Sequence, residues 1–331
     1  MIFRNNPFEA SGAVTLDLFN EFKSKGHNVR LLVNQYNADY PADIISMETY
    51  YLFWKKKIIN KLKRILGLNK KINTNKRYHF HDINLQKTFY KSGKLLKKAN
   101  IKPDAIILLF SNNFINARNI YELHKLTGKP VFKMMYDTAP LTGGCHYSWD
   151  CTGYQNSCGN CPGLFSNDPE DITYRNIMYK KKYFDKTDIS IVLASEWQNL
   201  QATKSMVYKG KPIHKIFISI NPEVFKPLPI DISRKKVGIA PEKKVIFFGA
   251  KSFNDERKGF NYILEALQKL KELLANDPDL ADKVFLLIAG EDTDRLQGLL
   301  PFENKNLGML DNNYGVASAH QAADVYVCPS I

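Results

Sequence analysis

Nowhere in this chain of 331 residues does an apolar, uncharged run reach the roughly 20 residues that a bilayer span requires. The N-terminus, MIFRNNPFEASG, also lacks the charged and apolar blocks of a secretory leader. These absences point to a cytosolic protein, and a reducing medium disfavours structural disulfides. Two nucleotide-binding signatures are missing as well. Neither G-x-G-x-x-G nor G-x-x-x-x-G-K-[ST] occurs, which removes most of the case for nicotinamide or P-loop chemistry. Acids are nearly absent from one segment: between 51 and 100, fifteen Lys and Arg face a single carboxylate, Asp82. That excess equals the net charge of the whole chain, +14, so the rest is balanced. Cysteine is scarce, with five in all, yet four fall within the seventeen residues from Cys145 to Cys161.

What is present is the composition of a globular protein, 44% apolar, long enough to divide into two domains. Short apolar runs alternate with amphipathic ones. The first helix is expected over SGAVTLDLFNEFKSKG, with Ser11 as N-cap, Val14, Leu18 and Phe22 at i+4 spacing, and Gly26 as its stop. Strands are expected at VRLLV, AIILLF, VFKMMY, ISIVLAS and KIFISI, with helices at 120–126, at 172–184 and from Glu196. The Pro-rich stretch 221–241 reads as a linker. Beyond it the rhythm restarts: strands KVIFFGA, VFLLIAG, NLGML and DVYVCPS, and helices at 259–275 and 314–323. Continuous apolar strands separated by helices imply parallel sheets covered on both faces. The expected architecture is therefore α/β, with one Rossmann-like domain over 1–218 and another over 219–331. The first carries a basic insertion at 51–100 and a Cys-rich loop at 137–165, and ligand is expected at the carboxyl ends of the strands.

Several residue groups have the chemistry of a site. Ser11 and Gly12 open a helix whose free N–H groups receive anions. GAKSFNDERKGF leads from a strand into a helix and brings Lys251, Arg257 and Lys258, cations that suit a diphosphate. A tight turn and a solvated basic loop are the plainer readings. In YLFWKKKIINKLKRILGL, Trp54, Ile58, Leu62, Ile65 and Leu66 share a helical face flanked by lysines. That helix either lies on an anionic membrane or packs its stripe on its own domain.

The cysteines leave three alternatives. Cys145, Cys151, Cys158 and Cys161 end in a Cys-x2-Cys pair, half of a common structural zinc site, with His146 as a substitute ligand. The others are packed, reduced thiols and disulfides. Nucleic-acid binding is disfavoured, because the basic residues lie far from the cysteines and no base-stacking motif accompanies them.

The order of these blocks resembles the retaining glycosyltransferases of family 4. The likeness rests on SGAVTLDLFNEFKSKGHNVRLLV, on the loop LTGGCHYSWDCTGYQNSCGNCP, on INPEVFKPL, on FFGAKSFNDERKGFNYILEAL, and on LIAGE, LGML and AADVYVCPS. The loop points to a subgroup that builds surface polysaccharide. The resemblance implies the GT-B fold, two Rossmann-like domains facing across a cleft, and transfer from a nucleotide diphosphate-sugar to a glycan or lipid-linked acceptor with retention. It implies that Ser11, Gly12, Gly249 and Lys258 serve the donor diphosphate. Ala250 stands where the family has arginine, so Lys251 is the expected replacement. Tyr136-Asp137 stands where many members have His-Asp, leaving Asp137 as the catalytic candidate, with a structural cap as its alternative. No catalytic metal is expected, because protein cations face the leaving group. The chain stops at CPSI, short of the family's acidic pair, so the second domain is expected to be truncated. A catalytically inactive sugar-binding or partner-binding fragment is the alternative function.

Overall fold

A computed structural model of the chain describes residues 1–6, 12–65, 73–296 and 298–331. The chain divides into two compact units, Met1–Ser219 and Ile220–Ile331. In the first, the elements run β1 (Ile2–Arg4), α1 (Gly12–Ser24), β2 (Leu31–Val33), β3 (Ile44–Ser46), α2 (Tyr50–Ile65), α3 (Ser92–Ala99), β4 (Ile106–Leu108), α4 (Ala117–Thr127), β5 (Val131–Met134), α5 (Ile172–Phe184), β6 (Ile189–Leu193), α6 (Glu196–Lys204) and β7 (Ile213–Lys215). All seven strands pair in parallel, in the order β3-β2-β1-β4-β5-β6-β7.

Side-chain alternation explains why these strands are apolar throughout. Phe3, Leu32 and Leu108 enter the core on one face of the sheet, while their neighbours Ile2, Leu31, Val33 and Leu109 enter the core on the other. The helix ends follow local chemistry. Asn116 and Asn119 cap α4 reciprocally, and Gly128, at φ 66°, ends it. Asp171 caps α5 by accepting the N–H groups of Thr173 and Tyr174.

The second unit contains α7 (Ile230–Val237), β8 (Lys244–Ser252), α8 (Phe260–Leu273), α9 (Pro278–Ala281), β9 (Val284–Glu291), β10 (Glu303–Asn306), α10 (Asn313–Ala322) and β11 (Val325–Tyr326). Its four strands are parallel, in the order β10-β9-β8-β11. Again the faces alternate: Phe247 and Leu287 pack on one side, Phe248, Leu286 and Ile288 on the other.

Several expectations are corrected. The linker 221–241 contains α7, whose Arg234 is buried and donates to Asp324, Pro241 and Ala322. That segment belongs to the core of the second unit. NLGML is a strand only at Asn306, where β10 ends, and Gly308 turns the chain at φ 65°. KIFISI is a strand only as far as Lys215, and Ile216, Phe217 and Ile218 stand exposed. Within the basic segment, Leu95 and Ala99 of α3 are buried in the first core, and Ser92 of the same helix is also buried. By contrast, Trp54, Ile58, Leu62 and Ile65 of α2 are exposed, so the stripe does not pack on its own domain; Leu66 lies outside the described residues.

Candidate active site

In each sheet one point has connections leaving in opposite directions, and α/β sheets bind ligand at the carboxyl ends beside such a point. In the first unit it lies between β1 and β4. A cavity of about 90 Å³ opens next to it, walled by the residues that follow β4, by the end of β5 and by the loop beyond β5.

Asp137 sits at this end of β5, only 8% exposed at its side chain, with His146 at 4%. Its Oδ2 lies 2.7 Å from His146 Nδ1, and its Oδ1 accepts the Ala139 N–H at 2.9 Å. On the far side of the imidazole, Asn112 Nδ2 lies 3.1 Å from Nε2, and the His81 ring stands edge-on at 4.2 Å. Both nitrogens of His146 are thus engaged away from the cysteines.

Two lysines share the cavity. Lys133, inside β5, donates from Nζ to Leu109 O at 2.5 Å. Lys180, on α5, donates to Ala139 O at 2.6 Å and Thr142 O at 2.8 Å. Enclosure lowers both ammonium groups to a pKa of about 8, against the opposing pull of Asp137. Tyr136 stacks on Phe110 at 5.0 Å, and Arg4 lies over Phe110 at 5.3 Å.

A second, smaller cavity, about 20 Å³, is lined by Cys145, Cys151, Cys158 and Cys161 together. All four are free thiols. Burial pushes Cys145 and Cys158 up to about 12, and raises Cys161 as well. The turn at Cys158, Gly159 and Asn160 is left-handed at all three residues. The Leu164 N–H donates to Cys161 O at 3.0 Å, and the backbone near Gly163 and Leu164 favours the charged form of Cys161, as that near Gly143 favours the charged form of Cys158, against their burial. Among the described residues, no three Cys, His, Asp or Glu side chains are already set around a metal position.

In the second unit the switch point lies between β8 and β11. There a pocket of about 290 Å³ is lined by Gly249, Ala250 and Lys251 of β8, Ala289 and Gly290 of β9, and Tyr326 of β11. His320 of α10 stands edge-on to Phe247 at 5.0 Å and 4.6 Å from Tyr326, and burial lowers its pKa. Arg257 is held by Asp255, through Nε at 2.9 Å and Nη2 at 2.5 Å. Lys251 and Lys258 form no ion pair among the described residues.

The expected residues therefore separate. Gly249 and Lys251 share one pocket, while Lys258 ends the turn before α8 and does not line it. Gly12 begins α1, and Ser11 lies outside the described residues. Asp137 is central to the first cavity. Sequence reasoning missed Lys133 and Lys180, although signals existed. Lys133 is a lone charge in an apolar strand, an unusual place for one. Lys180 continues the buried series Thr173, Asn176, Ile177 on α5, at helical spacing.

No family model and no curated protein matches this chain. Solved structures do resemble it. Sucrose-phosphate synthase from Thermosynechococcus elongatus superposes with a TM-score of 0.57 at 14% identity, over 99% of this chain and 75% of that one. WaaG, a glycosyltransferase involved in lipopolysaccharide biosynthesis, gives 0.53 at 12%, over 100% and 75%. HepE of Anabaena, solved in complex with UDP and glucose, gives 0.52 at 11%, over 98% and 72%. At such identities the likeness speaks for the fold alone, and the chain has the α/β fold of the GT-B glycosyltransferases.

Proposed function

We propose that this protein transfers a sugar from a nucleotide diphosphate-sugar to a hydroxyl of a glycan or lipid-linked acceptor, with retention, as family 4 glycosyltransferases do. The observation that carries this reading is the pocket of the second unit. It lies at a switch point in a fold shared with a protein that binds UDP and glucose, and it presents Lys251, which forms no ion pair among the described residues. The donor diphosphate would take its charge compensation from Lys251 and Lys258, which stabilise the leaving group as negative charge builds on it. Asp137, oriented by His146, would set the acceptor in the first unit.

Lys258→Ala is expected to weaken binding of a nucleoside diphosphate by about 1.5–3 kcal/mol, the worth of a charge-assisted contact. Calorimetry with UDP and GDP measures this. Unchanged affinity for whichever one binds would remove Lys258 from the site. Release of UDP or GDP from its sugar donors on adding acceptor tests the activity itself.

The acceptor side would work at a membrane. Among the described residues no helix is long and apolar enough to cross one. Yet α2 offers exposed Trp54, Ile58, Leu62 and Ile65 beside Lys55, Lys57 and Lys61. That combination suits the anionic inner face of a cell membrane. Replacing Lys55, Lys56 and Lys57 by Gln is expected to release the protein from anionic vesicles, at about 1 kcal/mol per charge. Sedimentation equal to the parent at low salt would count against docking.

The cysteine loop would be held by structural zinc. Support comes from four thiols lining one cavity, from the backbone that favours the charged forms of Cys158 and Cys161, and from the Lys180 ammonium beside Cys145 and Cys158. A metal would draw these sulfurs inward and displace their protons. Elemental analysis of protein purified without chelator is expected to give about one zinc per chain, the content of a closed four-thiolate site. Metal-free protein that folds with four titratable thiols in this loop would exclude it.

A further inference from the structure

We propose that the cavity of the first unit binds an oxyanion, the phosphate or carboxylate of an acidic acceptor, between the ammonium groups of Lys133 and Lys180. The inference rests on reading this cavity as the acceptor side. Its basis is an imbalance of charge and of hydrogen-bond donors.

Of the charged groups lining the cavity, Asp82 faces Lys87, and Asp137 alone opposes both Lys133 and Lys180. With the thiols of Cys145 and Cys158 beside Lys180 in their neutral form, one positive charge is left over in an enclosed space, where an unpaired charge is costly. An incoming anion offsets it.

The donors point the same way. Each ammonium carries three N–H groups. Lys180 uses two on carbonyls, and Lys133 uses one on Leu109 O and a weak one on Ser111 Oγ at 3.5 Å. Tyr136 and Tyr208 line the cavity, and their hydroxyls are buried with no partner. Buried hydroxyls are rarely left so. The Asp137 carboxylate, which also lines the cavity, already engages His146 and Ala139. A cavity rich in donors and poor in free acceptors is complementary to an acceptor-rich ligand. Its space, about 90 Å³, admits several waters or a group the size of phosphate.

The test is calorimetry on the full chain with UDP at saturation, which occupies any phosphate site in the second unit. Glucuronate and glucose 6-phosphate are titrated, with glucose as the neutral control. At least one acid is expected to bind about tenfold or more tightly than glucose, as charge-assisted bonds require. Preference between the two identifies carboxylate or phosphate as the natural group. Lys133→Met is expected to abolish the preference for acid. Because that variant leaves a buried carbonyl unpaired, the double variant Tyr136→Phe, Tyr208→Phe serves beside it. It conserves packing and is expected to weaken the acid about 100-fold or more, the worth of two hydrogen bonds to a charge.

The proposal is overturned if glucose binds as well as both acids, if neither acid binds, or if the folded double variant binds acid as the parent does. Failure of UDP to bind, with glucuronate binding intact, would instead sink the transferase reading and leave the oxyanion site standing.

Discussion

Asp137→Asn is expected to reduce stability by about 3 kcal/mol, the usual loss when one partner of a buried charge cluster is removed. The same variant is expected to slow sugar transfer by about 100-fold or more, if the carboxylate orients a reacting hydroxyl. Among the described residues the carboxylate acts on both Lys133 and Lys180, beside the thiols Cys145 and Cys158 at Lys180, and it also fixes the imidazole of His146. An Asn amide can accept from Ala139, but it cannot neutralise either lysine.

The pH dependence separates an electrostatic role from a simple loop cap. A lysine lowered from 10.5 to about 8 destabilises the folded state fully below pH 8. That penalty is relieved as pH rises from 8 towards 10.5, because the unfolded chain holds protons the native one has released. Without Asp137 the lysines titrate lower still, so the variant should regain part of its lost stability between pH 6.5 and 8.5. Above about pH 9 the buried thiols act oppositely, since Cys145 and Cys158 ionise in the unfolded chain first. Urea denaturation of parent and variant at both pH values decides it. A difference that does not change with pH would make Asp137 a cap on the loop that follows β5.

The second large effect is expected at Gly259→Ala. Gly259 joins the Lys258 turn to α8 at φ 65°, and an added Cβ would stand 1.9 Å from Pro329 O, which is backbone and cannot rotate away. The left-handed penalty and the overpacking together amount to about 3 kcal/mol. Since the turn must shift to relieve the clash, Lys258 moves with it, and binding of UDP should weaken along with stability. Gly308→Ala is the control. It has the same φ, 65°, with nothing within 4 Å of the new atom, and should lose only the left-handed penalty, about 1 kcal/mol. Equal losses at the two positions would refute the close approach to Pro329.

Much of the fold was legible because it rests on local signals. α5 lies at 172–184 as expected, since Asp171 caps it and its buried positions repeat at helical spacing. β6 and β9 were plain as apolar runs. α7 was not, because its eight residues lie between prolines and half of them are charged, and it is held by α10 rather than by its own propensity. NLGML misled for the opposite reason: apolar residues there close over a core after the strand has ended.

The candidate site was less legible. Asp137 was found through the family resemblance, but its partner His146 lies nine residues on, in a loop with no period to read. By itself the sequence determined the alternation of strands and helices and the two parallel sheets, since each follows from spacing along the chain. Which charges become enclosed was decided only by the tertiary structure. The cavity assembles the segment after β4, the end of β5, α5 and the cysteine loop from parts of the chain dozens of residues apart. A lysine's burial depends on neighbours the chain brings in from elsewhere, whereas a helix or strand declares itself within a few turns or residues.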